Sequence, residues 1–227
     1  MLSRAYEAAG GLRAWAGLRD LSILQIRRQL ESDGKVRASE EIRIFVQNVP
    51  AVRLLMVRQT GDGPVYQGWR RDEAWMVERG LRVHDRARLE AARRELQECL
   101  LLDRLPFSLT EAVTGELAYE GEFGMGDSVV RRLRYVSGEY PGGEVRVMVD
   151  SDDGLLRALG LFGPKGAYEE VTLGRWYEEH GVRVPWLKEF REASRLVRQD
   201  EIRELRANQW FSAGIFEPEA WLRRSTR

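Results

Sequence analysis

The feature that most constrains the fold of this chain is a long series of strand-like segments joined by short turns. From Leu21 onward, apolar and polar residues alternate along most segments, which is typical of half-buried β-strands. The turns are rich in glycine, as at Asp33-Gly34 and at Gly61-Asp62-Gly63-Pro64. Because parallel strands need long crossover connections, these short turns predict antiparallel neighbours. The sequence therefore predicts a mainly β protein with about eleven antiparallel strands.

Two helical segments accompany the strands. Residues 2–18 carry an apolar stripe at helical spacing, and Gly10-Gly11 breaks it because glycine weakens a helix interior. A second helix is predicted from Arg86 to Leu102, and Pro106 stops that pattern. No segment resembles a linker, so residues 1–227 are predicted to form a single domain. Since an open sheet of this size curls or splits, we expect one strongly curved, half-open sheet with the helices covering its concave face.

The charge balance of the chain argues against nucleic acid as its partner. Lysine and arginine together number 36, as do aspartate and glutamate, so the formal net charge is zero. Proteins that bind phosphate backbones usually carry a basic surplus. No apolar run reaches the length of about 18 residues that would predict a membrane span. The single cysteine, Cys99, lies in a leucine-rich stretch and is predicted to be a buried thiol.

The chain has none of the common catalytic signatures, such as HExxH, GxSxG, CxxC or a glycine-rich phosphate loop. Its two histidines, His84 and His180, are interpreted as surface residues, with Asp85 capping the helix that begins at Arg86. A hydrolase or metal enzyme that uses His84 or His180 stays a third hypothesis. Asp150 to Gly154 is interpreted as a hairpin turn, because the twelfth position of a calcium loop would be Leu161. We predict no catalytic residue, metal or cofactor.

Large apolar side chains cluster in sequence around the second helix. In a sheet covered by that helix they could line an apolar pocket, which is how small lipophilic ligands are usually held. A plain hydrophobic core is the alternative interpretation of the same residues. The predicted ligand-binding residues are Trp69, Trp75, Leu96, Leu100 and Phe107.

Several short motifs, taken in order, resemble a known family. They are Ala8-Ala9-Gly10-Gly11-Leu12 with Trp15, Asp72-Glu73-Ala74-Trp75, Leu105-Pro106-Phe107-Ser108-Leu109, Val149-Asp150 followed by Gly154-Leu155-Leu156, Val184-Pro185, and Asn208 with Phe216-Glu217-Pro218. In this order they resemble the bacterial outer-membrane lipoprotein carrier and receptor proteins, the LolA/LolB-like group, and in particular its uncharacterised periplasmic branch. The resemblance implies a half-open sheet with an apolar cavity, which in the carriers holds the acyl chains of a lipoprotein.

The resemblance also implies a location in the periplasm or cell envelope, with a signal peptide removed. The sequence near Met1 does not itself read as a secretory signal, so a cytoplasmic location is expected if Met1 is the native start. The first functional hypothesis is non-catalytic binding of a lipid or lipophilic molecule, lipoprotein acyl chains among the candidates, between the sheet and helix 86–102. The second is an envelope interaction or structural module without a small-molecule ligand, which would meet a protein partner through a sheet face or an edge strand.

Overall fold

The computed structural model describes residues 1–70, 73–109, 117–136, 144–162 and 168–222. Asp72, part of one of the family motifs, therefore lies outside the described residues. The described helices are α1 (Leu2–Ala8), α2 (Gly11–Ala16) and α3 (Arg86–Leu102), with short 3-10 helices at Ala213–Phe216 and Pro218–Ala220. The strands are β1 (Asp20–Leu30), β2 (Val36–Gln47), β3 (Arg53–Thr60), β4 (Gly63–Arg70), β5 (Glu73–Glu78), β6 (Leu81–Arg82), β7 (Leu117–Met125), β8 (Ser128–Val136), β9 (Glu144–Asp150), β10 (Leu156–Phe162), β11 (Tyr168–Glu179), β12 (Val182–Glu192) and β13 (Arg195–Ala207).

The described strands form one antiparallel sheet of thirteen, in the order β6-β5-β4-β3-β2-β1-β13-β12-β11-β10-β9-β8-β7. The prediction of a mainly β, antiparallel protein is confirmed, whereas the predicted number of about eleven strands is too low. One added strand is β6, which follows the tight turn at Arg79 and Gly80, both with positive φ. The structure does not establish the strong curvature predicted for a half-open sheet.

The chain divides into two compact units, each assembled from separated segments. Unit 1 contains Met1–Gly17, Arg28–Ser39 and Leu101–Glu201, and unit 2 contains Leu18–Arg27, Glu40–Leu100 and Ile202–Arg227. The single domain expected over residues 1–227 stays a prediction. No helix in the described part of the chain is both long and apolar enough to cross a membrane.

Unit 1 is built on one apolar sheet face, to which strands β8 to β12 contribute. Residues 101–109 and α1 add buried side chains to the same cluster. Its buried members are Ala5, Leu101, Leu102, Leu105, Leu109, Leu133, Val145, Val147, Val149, Leu156, Leu159, Leu161, Val171, Leu173 and Phe190. Near β12 the interior also contains a charged pair. The ammonium group of Lys188 donates to the carboxylate of Asp103, and both side chains are buried.

The predicted break in the N-terminal helix is confirmed and has a contact that explains it. Gly10 has a φ of 105° and separates α1 from α2. A side chain at Gly10 would overlap the carbonyl of Gly181 in the β11–β12 turn. Beside it, the Arg183 backbone N–H donates to the Ala9 carbonyl at 2.9 Å. The glycine thus permits the close approach that fixes α1 and α2 against this hairpin of unit 1.

Unit 2 uses both faces of its sheet, since the side chains of successive residues point to opposite sides of a strand. On β4, Trp69 lies opposite Ala74 and points to one side, while Gly68 lies opposite Trp75 and belongs to the other. We call the first side the helix face, because α3 packs on it through Ala92. We call the second the aromatic face. It is covered by Phe211, Ile215, Phe216, Trp221 and Leu222 of the C-terminal segment.

The last strand differs from the sequence prediction at both ends. The pattern predicts a strand from Ile202 to Phe211, but β13 begins at Arg195 and ends at Ala207. The turn that starts it is formed by Ala193 and Ser194, both with positive φ, and the sequence there has no glycine to mark a turn. At its end, the backbone N–H groups of Gln209 and Trp210 donate to the Asp20 carboxylate at 2.7 and 3.0 Å instead of to a neighbouring strand.

Candidate functional site

The helix face of unit 2 is a mixed surface of apolar and polar side chains from neighbouring strands. One row across it contains Ile44, Met56, Gln67 and Met76, and the next row contains Val46, Leu54, Trp69 and Ala74. All but Ala74 are buried. The helix covers this surface with Ala92, Leu96 and Cys99, which lie on one side of α3 and are also buried. The thiol of Cys99 is buried, as predicted.

Helix α3 is joined to the helix face through ion pairs as well as through apolar contact. The Glu95 carboxylate accepts from the guanidinium groups of Arg27 on β1 and Arg58 on β3. Arg27 is buried, and the side chains of Arg58 and Glu95 are each about four-fifths buried. Two strands therefore hold one carboxylate of the helix between two cations, in surroundings that strengthen the attraction relative to water.

The helix face also contains buried polar atoms that have no hydrogen-bond partner. The amide oxygens Oε1 of Gln25 and Gln67 and the guanidinium Nε of Arg58 are in this group. Gln25 is 1% exposed and Gln67 is 5% exposed. The Glu40 carboxylate lies 3.9 Å from Arg58 Nε, too far for a hydrogen bond. Such atoms are rare in folded proteins and call for an explanation.

Three of the five predicted ligand-binding residues belong to this region of unit 2. Trp69 lies on the helix face, with the Arg93 guanidinium of α3 placed 6.0 Å from its ring centre. Leu96 is fully buried on α3, and Leu100 lies one helical turn further along and is partly buried. The interpretation of these three as ligand contacts stays a prediction, and their burial also fits the alternative of a plain core.

The other two predicted residues have partners elsewhere. Trp75 lies on the aromatic face, where it packs with Leu55, Val77 and Phe216. Its indole lies across Gly68, and a methyl group at Gly68 would overlap the ring. Phe107 belongs to unit 1 and stacks on Trp15 with ring centres 4.7 Å apart. The structure thus places Trp75 on the opposite side of the sheet from Trp69 and does not bring all five residues together.

The histidines lie in separate units, each at the surface. His84 lines a surface groove of about 450 Å³ at the start of α3, together with Arg82 and Arg88. Asp85 caps the helix as predicted, because its carboxylate accepts from the Arg88 backbone N–H at 2.8 Å. His180 is exposed in the β11–β12 turn, 3.4 Å from the Glu179 carboxylate. Among the described residues, no three potential metal ligands of the His, Cys, Asp or Glu type come together.

The acidic segment that begins at Asp150 is a hairpin turn, as predicted. The Asp150 carboxylate accepts from the backbone N–H groups of Asp152 and Asp153 and from Arg157 Nε at 2.9 Å. Burial of Asp150 opposes its ionisation, but these donors and the Arg157 charge outweigh it and lower its pKa to about 2. The carboxylate oxygens that a calcium ion would need are therefore used to close the turn.

Neither a protein-family model nor a curated protein matches this chain, but solved structures are similar to it. A DUF1329 family protein from Desulfovibrio piger is 12% identical with a TM-score of 0.67, and the match covers 97% of this chain and 98% of that one. A putative outer membrane lipoprotein-sorting protein domain from Vibrio parahaemolyticus is 10% identical with a TM-score of 0.63, covering 97% and 99%. A LolA superfamily protein from Nitrosomonas europaea is 9% identical with a TM-score of 0.64, covering 94% and 96%. The chain therefore shares the fold of the LolA superfamily, the DUF1329 family and the lipoprotein-sorting domains.

Proposed function

We propose that this protein is a non-catalytic binder of a lipid or other lipophilic molecule, held in unit 2 between the helix face and α3. The observation that carries the proposal is an apolar sheet surface whose covering helix is joined to it through the ion pairs of Glu95. A fold shared with a LolA superfamily protein and a lipoprotein-sorting domain supports it. The proposed contacts are Trp69, Leu96 and Leu100.

The energetics of this contact suit a cover that can be displaced by a ligand. When α3 moves away, the carboxylate of Glu95 and its two arginines regain hydration, which offsets the loss of their mutual attraction. Exposure of the apolar side chains of the helix face to water is not offset in this way. It costs about 25 cal/mol for each Å². An acyl chain that covers the same area removes that cost. The surface therefore favours an elongated apolar ligand over exposure to water.

The proposed location is the periplasm or cell envelope, where lipids and lipoproteins of the outer membrane are handled. The similarity to a putative outer membrane lipoprotein-sorting protein domain supports this location. Lipoprotein acyl chains are one candidate for the ligand, and a lipoprotein or an envelope protein would then be the partner.

A matched pair of variants on α3 tests the proposed site. Ala92 is buried against the helix face, whereas Ala91 beside it is exposed. We expect Ala92→Leu to fill the space that an acyl chain would take and to weaken binding of a fluorescent fatty acid by delipidated protein about tenfold or more. Ala91→Leu is the control and should leave the affinity within about twofold.

The direct measurement is mass spectrometry of an organic extract of the purified protein, which should recover a lipid in stoichiometric amount. Thermal unfolding of both variants shows whether a loss of binding reflects loss of the fold. Equal affinities of the two variants, or no saturable binding by the wild-type protein, would contradict the proposal.

An envelope interaction module without a ligand is the second candidate, and the exposed side chains of unit 1 favour it. Among the described strands, β7 lies at one end of the sheet, and Tyr119 on it is 56% exposed. Phe123 on β7 and Val129 on the neighbouring strand β8 are also exposed. An unpaired strand edge with apolar side chains is a surface to which another chain can add a strand. Tyr119→Lys should abolish capture of an envelope protein if this function holds, and it should not change fatty-acid binding.

A further inference from the structure

Three unpartnered polar atoms on the helix face define what the ligand of this region must offer. Gln25 Oε1 and Gln67 Oε1 are acceptors without a donor, and Arg58 Nε is a donor without an acceptor. Leaving such a buried group without a hydrogen bond costs about 1–3 kcal/mol. An apolar chain alone would leave all three groups unpartnered. A ligand of the helix face therefore needs polar groups that hydrogen-bond to these atoms, in addition to an apolar surface.

The register of β3 and β4 brings one donor and one acceptor into the same neighbourhood. Met56 lies opposite Gln67, and Arg58, two residues further along β3, lies opposite Val65. Arg58 and Gln67 are therefore diagonal neighbours on the same side of this ladder. Diagonal positions have Cβ atoms about 7 Å apart, which long side chains can bridge. One small group placed between them can meet both.

The unpartnered atoms of the aromatic face have no such arrangement. Gln47 Oε1 on β2 and Trp75 Nε1 on β5 are also buried without a hydrogen bond. Strands β3 and β4 separate them, so they lie about 14 Å apart across the sheet. No single group of a ligand can meet that donor and that acceptor together. Within the described part of unit 2, an unpartnered donor and an unpartnered acceptor thus lie on adjacent strands on the helix face and not on the aromatic face.

From this pairing we infer that the ligand carries a hydroxyl group, which accepts from Arg58 Nε and donates to Gln67 Oε1. The inference rests on the proposed function and names the class of lipid: an alcohol or hydroxylated lipid, which should bind more tightly than the fatty acid used to test the proposed function. A carboxylate has no proton to donate to Gln67, and the two guanidinium charges of Arg27 and Arg58 already have two carboxylates beside them, those of Glu95 and Glu40. An ether or a methyl ester has no donor either. Gln25 provides a second acceptor for a lipid with more than one hydroxyl.

A pair of ligands that differ in one proton donor tests the inference. Oleyl alcohol and its methyl ether share the same hydrocarbon chain, and a methyl group in the second replaces the hydroxyl proton of the first. We expect the delipidated wild-type protein to bind the alcohol about fivefold more tightly than the ether, the effect of one hydrogen bond in a buried site. In Gln67→Met the preference for the alcohol over the ether should disappear, because methionine has a similar volume and no acceptor of comparable strength.

Gln47→Met is the matched control, because Gln47 is a buried glutamine with an unpartnered oxygen on the other face. It should keep the preference for the alcohol. Gln67→Met should unfold at the same temperature as the wild-type protein or a higher one, since it removes an unpartnered acceptor, so a lost preference reports on the ligand and not on the fold.

The outcomes distinguish the inference from the proposed function. Equal binding of alcohol and ether by the wild-type protein would overturn the inference and leave the proposed function standing, as expected if water satisfies Gln67. An unchanged preference in Gln67→Met would overturn the inference in the same way. Failure of the wild-type protein to bind either ligand would overturn the proposed function and the inference with it.

Discussion

The two faces of the sheet in unit 2 are covered in different ways. The aromatic face is closed by rings: Phe45 meets Phe211 edge-to-face at 5.2 Å, and Tyr66 stacks on Trp221 at 4.2 Å. The helix face is covered by one helix, α3, which is joined to the sheet through the ion pairs of Glu95. The amide oxygen of Gln67 on this face has no hydrogen-bond partner. Aromatic packing fixes a structure, whereas unpartnered polar groups add cost and no stability. The contrast fits a division in which the aromatic face stabilises unit 2 and the proposed ligand is recognised at the helix face.

The largest effect that should follow from this contrast is the loss of stability when the aromatic face is opened. Phe216 is fully buried there, and its replacement in Phe216→Ala should lower the free energy of unfolding by about 3–5 kcal/mol. Chemical denaturation measures this loss. Fatty-acid affinity should stay unchanged wherever the variant is folded. A comparable loss of affinity would break the proposed division between the two faces.

Removing the charge of Glu95 should lower the free energy of unfolding by nearly as much, for an electrostatic reason. In Glu95→Gln, the guanidinium groups of Arg27 and Arg58 lose the carboxylate between them, and we expect a loss of about 3 kcal/mol. Glu90 is exposed on the same helix, and Glu90→Gln should change stability by less than about 0.5 kcal/mol. If the two variants unfold alike in denaturant, the ion pairs do not fasten α3.

A smaller effect is expected where the aromatic face is tightest. A methyl group in Gly68→Ala would overlap the Trp75 indole, so we expect a loss of about 1–3 kcal/mol. The double variant Gly68→Ala with Trp75→Leu should cost less than the sum of the two single changes, because leucine vacates the overlapped space. Additive costs in a double-mutant cycle would show that the overlap is not the cause.

The smallest effect is a loss of stability at acid pH. It arises in unit 1, so it must be subtracted before a pH scan is used to compare the two faces of unit 2. The pKa of Asp150 in unit 1 is about 2 in the folded protein, below its ordinary value of 3.8. Its contribution to stability is therefore complete above about pH 4 and is lost as the pH falls toward 2, on the order of 1–2 kcal/mol. Asp150→Asn should flatten this part of the stability profile. Added calcium should leave the unfolding temperature unchanged.

The sequence was sufficient where local patterns decide the structure. The bounds of α3 from Arg86 to Leu102, the cap by Asp85 and the break at Gly10 all follow from spacing, capping and glycine alone. These features depend on contacts between residues close in sequence or on one backbone conformation. The turn at Ala193 and Ser194 was missed because its positive φ values occur at residues that seldom adopt them.

The candidate site was less predictable, because it depends on which side of a strand faces the core. On β1, Leu24 and Ile26 suggest the apolar side, yet both are only partly buried, while Gln25 and Arg27 are buried. Partners from α3 and from distant strands make that choice, and hydrophobicity alone misses it. One local signal was available: Gly68 inside a strand indicates that another group lies close by, and that group is Trp75.

The interleaving of the two units also constrains how the chain is made. Unit 1 joins the first residues of the chain to segments that extend to Glu201, and unit 2 joins Leu18 to residues beyond Ile202. A ribosome that works from the N-terminus therefore completes neither core until most of the polypeptide has emerged. Contacts between segments so far apart in sequence form late, so the segments made first lack part of their core during synthesis. In that state these segments are open to chaperones.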